Sequence, residues 1–446
     1  MFLPILVYGL NKATGFLGKA FGTKANLVVD VGTSFADNTL AWNNLAQGGE
    51  ERTRMFASVL DKLASLTPRY LRIDHVYDFY DVVKRGNDGK LAYDWSKLDL
   101  TLNDMHVVGA APFLSLSYMP LVLSGSNEID VPHDWREWSD VVKNTVEHVS
   151  GKDSLGREAV YYEIWNEPDL FGGFAVGGKK DYGLLYKFAV EGANQAKNVH
   201  PFKIGGPAIT NFNSKWMEAF IKFVDTTDLR LDFLSWHRYG SNMADFDNDL
   251  LKSRSLAAKF PSIAETELVL SETGYDSEIN KLNDETLAAI HTIATSAVVF
   301  PTIDKVFAFE IKDGPGESKY WGRWGVLTHE KFGTPTEKPR FAAIKFLNQM
   351  TGDRLTVLGQ GTWVKSFAVK LGLEIKLLIV NYDKYGKHSE RVPINFVNLP
   401  PGKLSYKRVS FLGNSSDKEI TAENGNYVTS ELLLPNSAAI IVVEPK

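Results

Sequence analysis

From about residue 26 to residue 350, short apolar runs alternate along the chain with longer amphipathic ones. Apolar residues that are continuous or spaced by two read as strands, and those recurring at three and four residues read as helices. The strand-like runs are "LVVDVG" from Leu27, "RYLRID" from Arg69, "APFLSLS" from Ala111, "YYEIWN" from Tyr161, "FKIGG" from Phe202, "LDFLSWH" from Leu231, "ELVLSE" from Glu267 and "KVFAFE" from Lys305. Between them stand helical patterns such as "ERTRMFASVLDKLASL", "DWREWSDVVKNTVEHV", "DYGLLYKFAVEGANQAKN" and "DETLAAIHTIATSAVVF". All four open on an acidic residue, which suits the positive end of a helix dipole. Strands separated by helices imply a parallel sheet with crossovers, and eight such units imply a closed (β/α)8 TIM barrel. An open dinucleotide-binding sheet fits less well, because no Gly-x-Gly-x-x-Gly follows the first run.

After Gly352 the texture changes. "TWVKSFAVKL", "LEIKLLIVNY", "ERVPINFVNL", "KLSYKRVSF" and "SAAIIVVEP" follow one another with Gly, Asn, Asp and Pro between them and no long helical pattern. That is the signature of an all-β accessory domain, read as a sandwich. The chain is therefore expected to comprise a barrel over residues 26–350, a β-sandwich over 351–446, and an N-terminal segment, 1–25, supplying a further strand to the sandwich.

Composition narrows the partners. Lys and Arg number 49 against 54 Asp and Glu, with no block of like charge, so neither a nucleic-acid backbone nor an anionic membrane is indicated. Cysteine is absent, which removes thiolate chemistry and disulfides and leaves the compartment open between secreted, periplasmic and cytoplasmic. The opening "MFLPILVYGL" has no basic flank and falls far short of the roughly 20 residues that span a bilayer. The nine histidines show no metal-ligand spacing, so neither a metal nor another cofactor is expected, and composition leaves the oligomeric state undefined.

Chemistry in such a barrel sits at the C-terminal ends of the strands. Polar residues gather there: Arg72 after the second run, Asn166 and Glu167 after the fourth, His237 and Tyr239 after the sixth, and Glu272 after the seventh. Two glutamates from distant segments meeting at one rim suit glycoside hydrolysis, where one carboxylic acid protonates the leaving oxygen and an ionised carboxylate attacks carbon or activates water. Arg72 or Tyr239 beside Glu272 favours its ionised form, whereas burial next to Trp165 raises the pKa of Glu167. Taken alone, Asn166-Glu167-Pro168 is also a good helix start, with Asn as the cap and Pro in the first turn. Glu163 shares a face with Glu167 by period two and is read as a structural charge inside the barrel that requires a partner. Tyr118, Trp321 and Trp324 offer flat apolar faces to sugar rings, as Trp135 and Trp138 do unless they are ordinary packing.

In their order, these segments resemble the retaining glycoside hydrolases of clan A, and within them family 39, which holds β-xylosidases, α-L-iduronidases and some polysaccharide-degrading endo-enzymes. The resemblance rests on "APFLSLSYMP", "YYEIWNEPDL", "IGGPAI", "DFLSWHRYG", "LSETGYD", "WGRWGVL" and "KPRFAAIKFLNQM". It implies Glu167 as general acid/base, Glu272 as nucleophile, Asn166 as a ligand of a substrate hydroxyl, Arg72 and Tyr239 as supports of Glu272, and His237 lining the site. It also implies an oligosaccharide or polysaccharide substrate cleaved by double displacement without a cofactor, by exo action of the β-xylosidase type or, alternatively, by endo cleavage of an exopolysaccharide. A carbohydrate-binding barrel without catalysis is the remote alternative. Two departures stand out: the second run reads Arg72-Ile73-Asp74-His75, where the family more often has His two positions after the Arg, and the eighth lacks a Trp often seen there.

Overall fold

The computed structural model describes residues 22–35, 41–49, 52, 54–125, 127–300 and 302–446. The run "MFLPILVYGL", read above as a further strand, lies outside the described residues. The chain divides into two compact units: Ala41–Ala288 with Pro301–Ile344, and the residues before Ala41 with Ala289–Phe300 and Lys345–Lys446.

In the first unit eight parallel strands close a barrel in chain order. They are Asn44–Gln47, Tyr70–Ile73, Ala111–Leu116, Tyr161–Ile164, Lys203–Ile209, Phe233–Tyr239, Glu267–Gly274 and Lys305–Phe309, here called the first to eighth barrel strands. Inward-facing Phe113, Tyr161, Phe233 and Phe307 fill the middle, with ring centroids 4.8–5.3 Å from Phe113 to each of the others. Below them Glu267 accepts hydrogen bonds from Tyr161 (2.7 Å) and Lys305 (3.0 Å), so the N-terminal end is closed by a satisfied polar plug. That leaves the opposite end, where the strands finish, as the open one.

Seven of the eight predicted runs are barrel strands, and the first is not. "LVVDVG" belongs to Leu27–Phe35, which pairs antiparallel with Asp353–Leu358 and parallel with Glu390–Val397 in the other unit. The true first strand is "NLAQ", buried at all four positions. The physical reason is in the patterns: Leu27, Val29 and Val31 are buried in alternation, as in a strand with one face covered. A four-residue strand without a β-branched residue carries no such signal.

The second unit holds a nine-stranded sheet, in the order Ser415–Ala422, Gly402–Ser410, Ser437–Pro445, Glu374–Asn381, Val364–Leu371, Asp353–Leu358, Leu27–Phe35, Glu390–Val397 and Tyr427–Leu433. Although its edges are far apart in that order, the Tyr406 hydroxyl near one end donates to Glu431 on the opposite edge strand (2.6 Å), and Arg408 Nε lies 3.1 Å from the same carboxylate. The sheet therefore folds over on itself, and Val29, Leu377, Ile394, Leu404 and Ile441 share one apolar core between the layers.

Candidate active site

The fourth strand turns its odd positions inward, Tyr161 into the aromatic layer and Glu163 above it. The strand ends at Ile164, and the chain then takes left-handed backbone at Trp165 (φ 74°) and Glu167 (φ 47°), conformations that non-glycine residues adopt only when surroundings hold them. They are held by the Glu167 N–H donating to the Ala208 carbonyl (3.0 Å) and by Leu170 and Phe171 N–H groups donating to the Glu167 carbonyl (2.9 and 2.7 Å). No helix starts here; the next begins at Tyr182, capped by Asp181. Asn166 is not a cap, since its Oδ1 accepts from Arg72 (2.8 Å) and its Nδ2 donates to the Tyr118 hydroxyl (3.1 Å).

On the sixth strand period two carries Phe233 in the core and His237 and Tyr239 toward the glutamates. On the seventh, Val269 faces in, so strict alternation would turn Glu272 outward. A bulge corrects this: Leu270 pairs with Trp236 but Glu272 with His237, leaving Ser271 as the extra residue. The bulge re-aims a carboxylate into the site.

Arg72 organises the cluster. Fully buried, it donates from Nε to Glu163, from Nη1 to Glu272 and from Nη2 to Asn166, each at 2.8 Å. Burial opposes its charge, but Glu163, Glu272 and Asp74 outweigh that and hold the guanidinium firmly ionised. The partner that Glu163 requires is thus Arg72. Glu272 also accepts from the Tyr239 hydroxyl (2.7 Å), and His237 Nδ1 lies 2.8 Å from Glu167 and 3.5 Å from Glu272. Burial raises the Glu272 carboxyl above its ordinary range; His237 and Arg72 pull it down, as expected of Arg72, without cancelling the rise. Burial likewise works against a charged His237, yet the two glutamates raise its pKa on balance.

Removing Arg72 leaves Glu163 buried without a counter-charge. Arg72→Met is expected to cost about 3–5 kcal/mol, read as a lower midpoint in chemical unfolding, and adding Glu163→Gln should recover part of the loss.

Donor atoms of Glu167, His237 and Glu272 all lie within 4.8 Å of one another, a spacing that can hold a metal ion. The electrostatics do not suit one, because Glu272 already has a full positive charge on one oxygen and a hydroxyl on the other.

The cluster opens into a cavity of about 620 Å³ walled by Asp74, His75, Tyr118, Glu167, Glu272 and Trp324 among others. Asn166 and Tyr239 also line it, whereas Arg72 and His237 stand behind the wall. Trp321 does not line it; its indole packs on Gly316, where a Cβ would come within 2.5 Å. Trp138 is core, donating to the Leu185 carbonyl, and Trp135 stacks on Phe188. His75, Phe171 and Arg323 line the cavity and escaped the sequence reading. His75 itself takes left-handed backbone (φ 54°), and its ring approaches Gly49 so closely that a Cβ there would lie 2.2 Å from it.

Two carboxyl groups facing one cavity, each with its own hydrogen-bonding support, are what cleavage of a glycosidic bond asks of a barrel rim, and the protein is a glycoside hydrolase. The sequence profile of glycosyl hydrolases family 39 matches residues 55–266. A β-xylosidase of Caldicellulosiruptor saccharolyticus is 24% identical over 338 residues, covering 69% of this chain and 67% of that protein. One from Geobacillus stearothermophilus is 26% identical over 172 residues, 36% of this chain and about a third (34%) of its own length. In fold, the chain is similar to the GH39 enzyme of Xanthomonas axonopodis pv. citri (TM-score 0.73, 18% identity, 96% of this chain and 99% of that one). It is equally similar to a monomeric β-xylosidase of Caulobacter crescentus (TM-score 0.73, 18% identity, 94% and 99%). Among the described residues no helix is long and apolar enough to cross a membrane.

Proposed function

We propose that the chain is a retaining glycosidase of β-xylosidase type, with Glu272 as nucleophile and Glu167 as general acid/base. The observation that carries this is the approach of their carboxyl oxygens to within 4.8 Å. Retaining sites hold the two groups about 5–5.5 Å apart, and inverting sites leave roughly 6.5–9.5 Å for a water molecule. In the first step Glu272 attacks the anomeric carbon as Glu167 passes its proton to the departing oxygen. In the second, Glu167 takes a proton from water, which displaces Glu272 on the same face that the leaving group quitted.

The supporting groups fit these roles. The ion pair with Arg72 on one oxygen offsets the cost of an ionised Glu272 in a buried site, and the Tyr239 hydroxyl on the other holds the carboxylate in a fixed orientation. Asn166 is locked at both ends of its amide by Arg72 and Tyr118, so its NH2 group has a fixed direction from which to reach a sugar hydroxyl. Exo action is favoured by the names of the curated relatives and by the cavity size, which is that of a pocket enclosing a small ligand. The endo alternative loses the aromatic platform expected at Trp321, which packs away from the cavity.

A panel of 4-nitrophenyl glycosides, with the anomer first formed followed by proton NMR, tests both parts. The expected result is cleavage of the β-xyloside with a β-configured first product and monosaccharide release from xylo-oligosaccharides. A first product of inverted configuration overturns the mechanism, and products no shorter than disaccharides overturn the exo assignment.

A further inference from the structure

Lys338 stands immediately before the helix Pro339–Leu347, and the chemistry above gives it no part. It is 1% exposed, and a cation there is disfavoured twice, by burial and by the positive end of the helix dipole. Two carboxylates from separate segments offset this. The Lys338 Nζ lies 2.6 Å from Asp284, and it donates to Asp313, just past the eighth barrel strand (3.0 and 3.1 Å to its two oxygens). It also donates to the Arg323 carbonyl (2.7 Å), so the three donors of the ammonium are all engaged. The two carboxylates reach the same stretch of backbone: Asp284 accepts from the Gly322 N–H and Asp313 from the Gly325 N–H, each at 2.7 Å. The Gly322 carbonyl accepts from the Asn283 amide (2.9 Å) and the Asn280 N–H (3.0 Å), and a Cβ at Gly322 would come within 2.7 Å of the Asn280 backbone. Backbone groups of Gly322, Arg323 and Gly325 are thus held by one buried cluster, and the residue they enclose is Trp324, which walls the cavity.

We infer that Lys338 is a positioning residue: with Asp284 and Asp313 it clamps the backbone on either side of Trp324 and so fixes that indole as a binding wall for the substrate. A buried ion cluster is a weak source of stability, because desolvation offsets the attraction, but it holds only where its geometry is strict. Lys338 does not itself line the cavity, so its influence on binding runs through the loop. The indole is set by the same loop from its other side, where its N–H donates to the Asp276 carbonyl (2.9 Å) and the Trp324 carbonyl accepts from Arg340 (2.6 Å). Its ring lies between Phe309, with centroids 5.4 Å apart, and the Arg323 guanidinium at 3.7 Å, so a shift of the backbone at Arg323 disturbs the wall directly. The inference rests on the glycosidase reading only in taking Trp324 to meet the substrate.

The test compares wild type, Lys338→Met, Trp324→Ala and the double variant on 4-nitrophenyl β-xyloside. Trp324→Ala is expected to raise KM about tenfold, the weight of one aromatic contact, with kcat kept within about twofold. Lys338→Met should raise KM about three- to tenfold, again with little change in kcat, because the hydrogen bonds of Glu167 and Glu272 lead to His237, Arg72 and Tyr239 and not to the cluster. In the Trp324→Ala background the same substitution should change KM by less than about twofold, as expected of two residues that act through one contact. Fluorine NMR of protein labelled with 5-fluorotryptophan reads the loop without substrate. The lines of Trp321 and Trp324, assigned through Trp321→Phe and Trp324→Phe, should shift or broaden in Lys338→Met while the remaining tryptophan lines stay. Equal KM increases in both backgrounds, a loss of kcat at unchanged KM, unmoved Trp321 and Trp324 lines, or movement of every line would each overturn the inference. If no xyloside is cleaved, the fluorine lines still report on the loop, so a failure of the glycosidase reading and a failure of this assignment give different results. If Lys338→Met does not fold, Asp284→Asn and Asp313→Asn, which keep the shape and remove one charge each, carry the same comparison.

Discussion

Glu272→Gln is expected to abolish hydrolysis of every glycoside, lowering kcat by on the order of 10⁵, as removal of a nucleophile does elsewhere. The amide has the shape of the carboxylate and still accepts one hydrogen bond, so Arg72 keeps Glu163 and Asn166 and folding should be retained. What disappears is the group proposed to form the bond to the anomeric carbon. Leaving-group ability should make no difference: dinitrophenyl and nitrophenyl glycosides should be equally inert, because activation of the departing oxygen cannot replace an absent attacker. Residual turnover that depends on the leaving group would sink the assignment. A related effect is expected in the parent enzyme. Glu272 must be ionised to attack, and burial raises its pKa. The rate should therefore be lost as pH falls through a value above the ordinary 4.5 of a glutamic acid, and a kcat/KM profile against pH measures where that limb lies.

The parts of this fold that the sequence made legible are those where period and position agree. Phe233, Ser235, His237 and Tyr239 alternate without interruption along the sixth strand, and a polar cluster at its end could be placed at the rim with no further information. Tyr161 and Glu163 did the same for the fourth strand, but that strand ends at Ile164, and the left-handed backbone at Trp165 and Glu167 that brings both Asn166 and Glu167 to the cavity is not a matter of counting. The seventh strand was placed correctly for a reason that counting does not supply. Its alternation is broken by the bulge at Ser271, a backbone event that no pattern of apolar residues encodes. The first barrel strand was misplaced because Asn44–Gln47 is short and unbranched, whereas Leu27–Phe35 has the louder alternation of a sheet covered on one face. Among the β strands after the barrel, Ser415–Ala422 went unread for a similar reason: its burial pattern shows two buried residues in eight, too few to reveal a period. At the site, side-chain identity gave the partners but not the balance between them. Arg72 beside Glu272 does favour its ionised form, but the completeness of burial outweighs it. The same limit applies to Trp321 and Trp324, three residues apart in one loop, of which one walls the cavity and the other fills the space over Gly316.

Glu167→Ala should fail in a different way from the Glu272 variant, and the difference separates the two roles. Glu167 Oε1 is 2.8 Å from His237 Nδ1, and the residue lines the cavity together with Leu170 and Phe171. A dinitrophenol needs little protonation to leave, so the first step should proceed and the glycosyl–Glu272 ester should form. Water then lacks its base, and hydrolysis should slow by roughly 10²–10⁴, the usual weight of a general acid/base. The time course should show a burst of about one dinitrophenol per enzyme followed by slow release. Azide carries its own charge and needs no base, and it enters the space opened by the deleted carboxyl. Its addition should accelerate the slow phase and give a glycosyl azide of the same anomeric configuration as the substrate, because two displacements at one carbon restore the original face. A rate unmoved by azide would deny Glu167 the role of base in the second step. A glycosyl azide of inverted configuration formed by Glu167→Ala, with one of retained configuration formed by Glu272→Ala, would exchange the two assignments, since direct displacement by azide in the cavity of a missing nucleophile turns the anomeric centre over once.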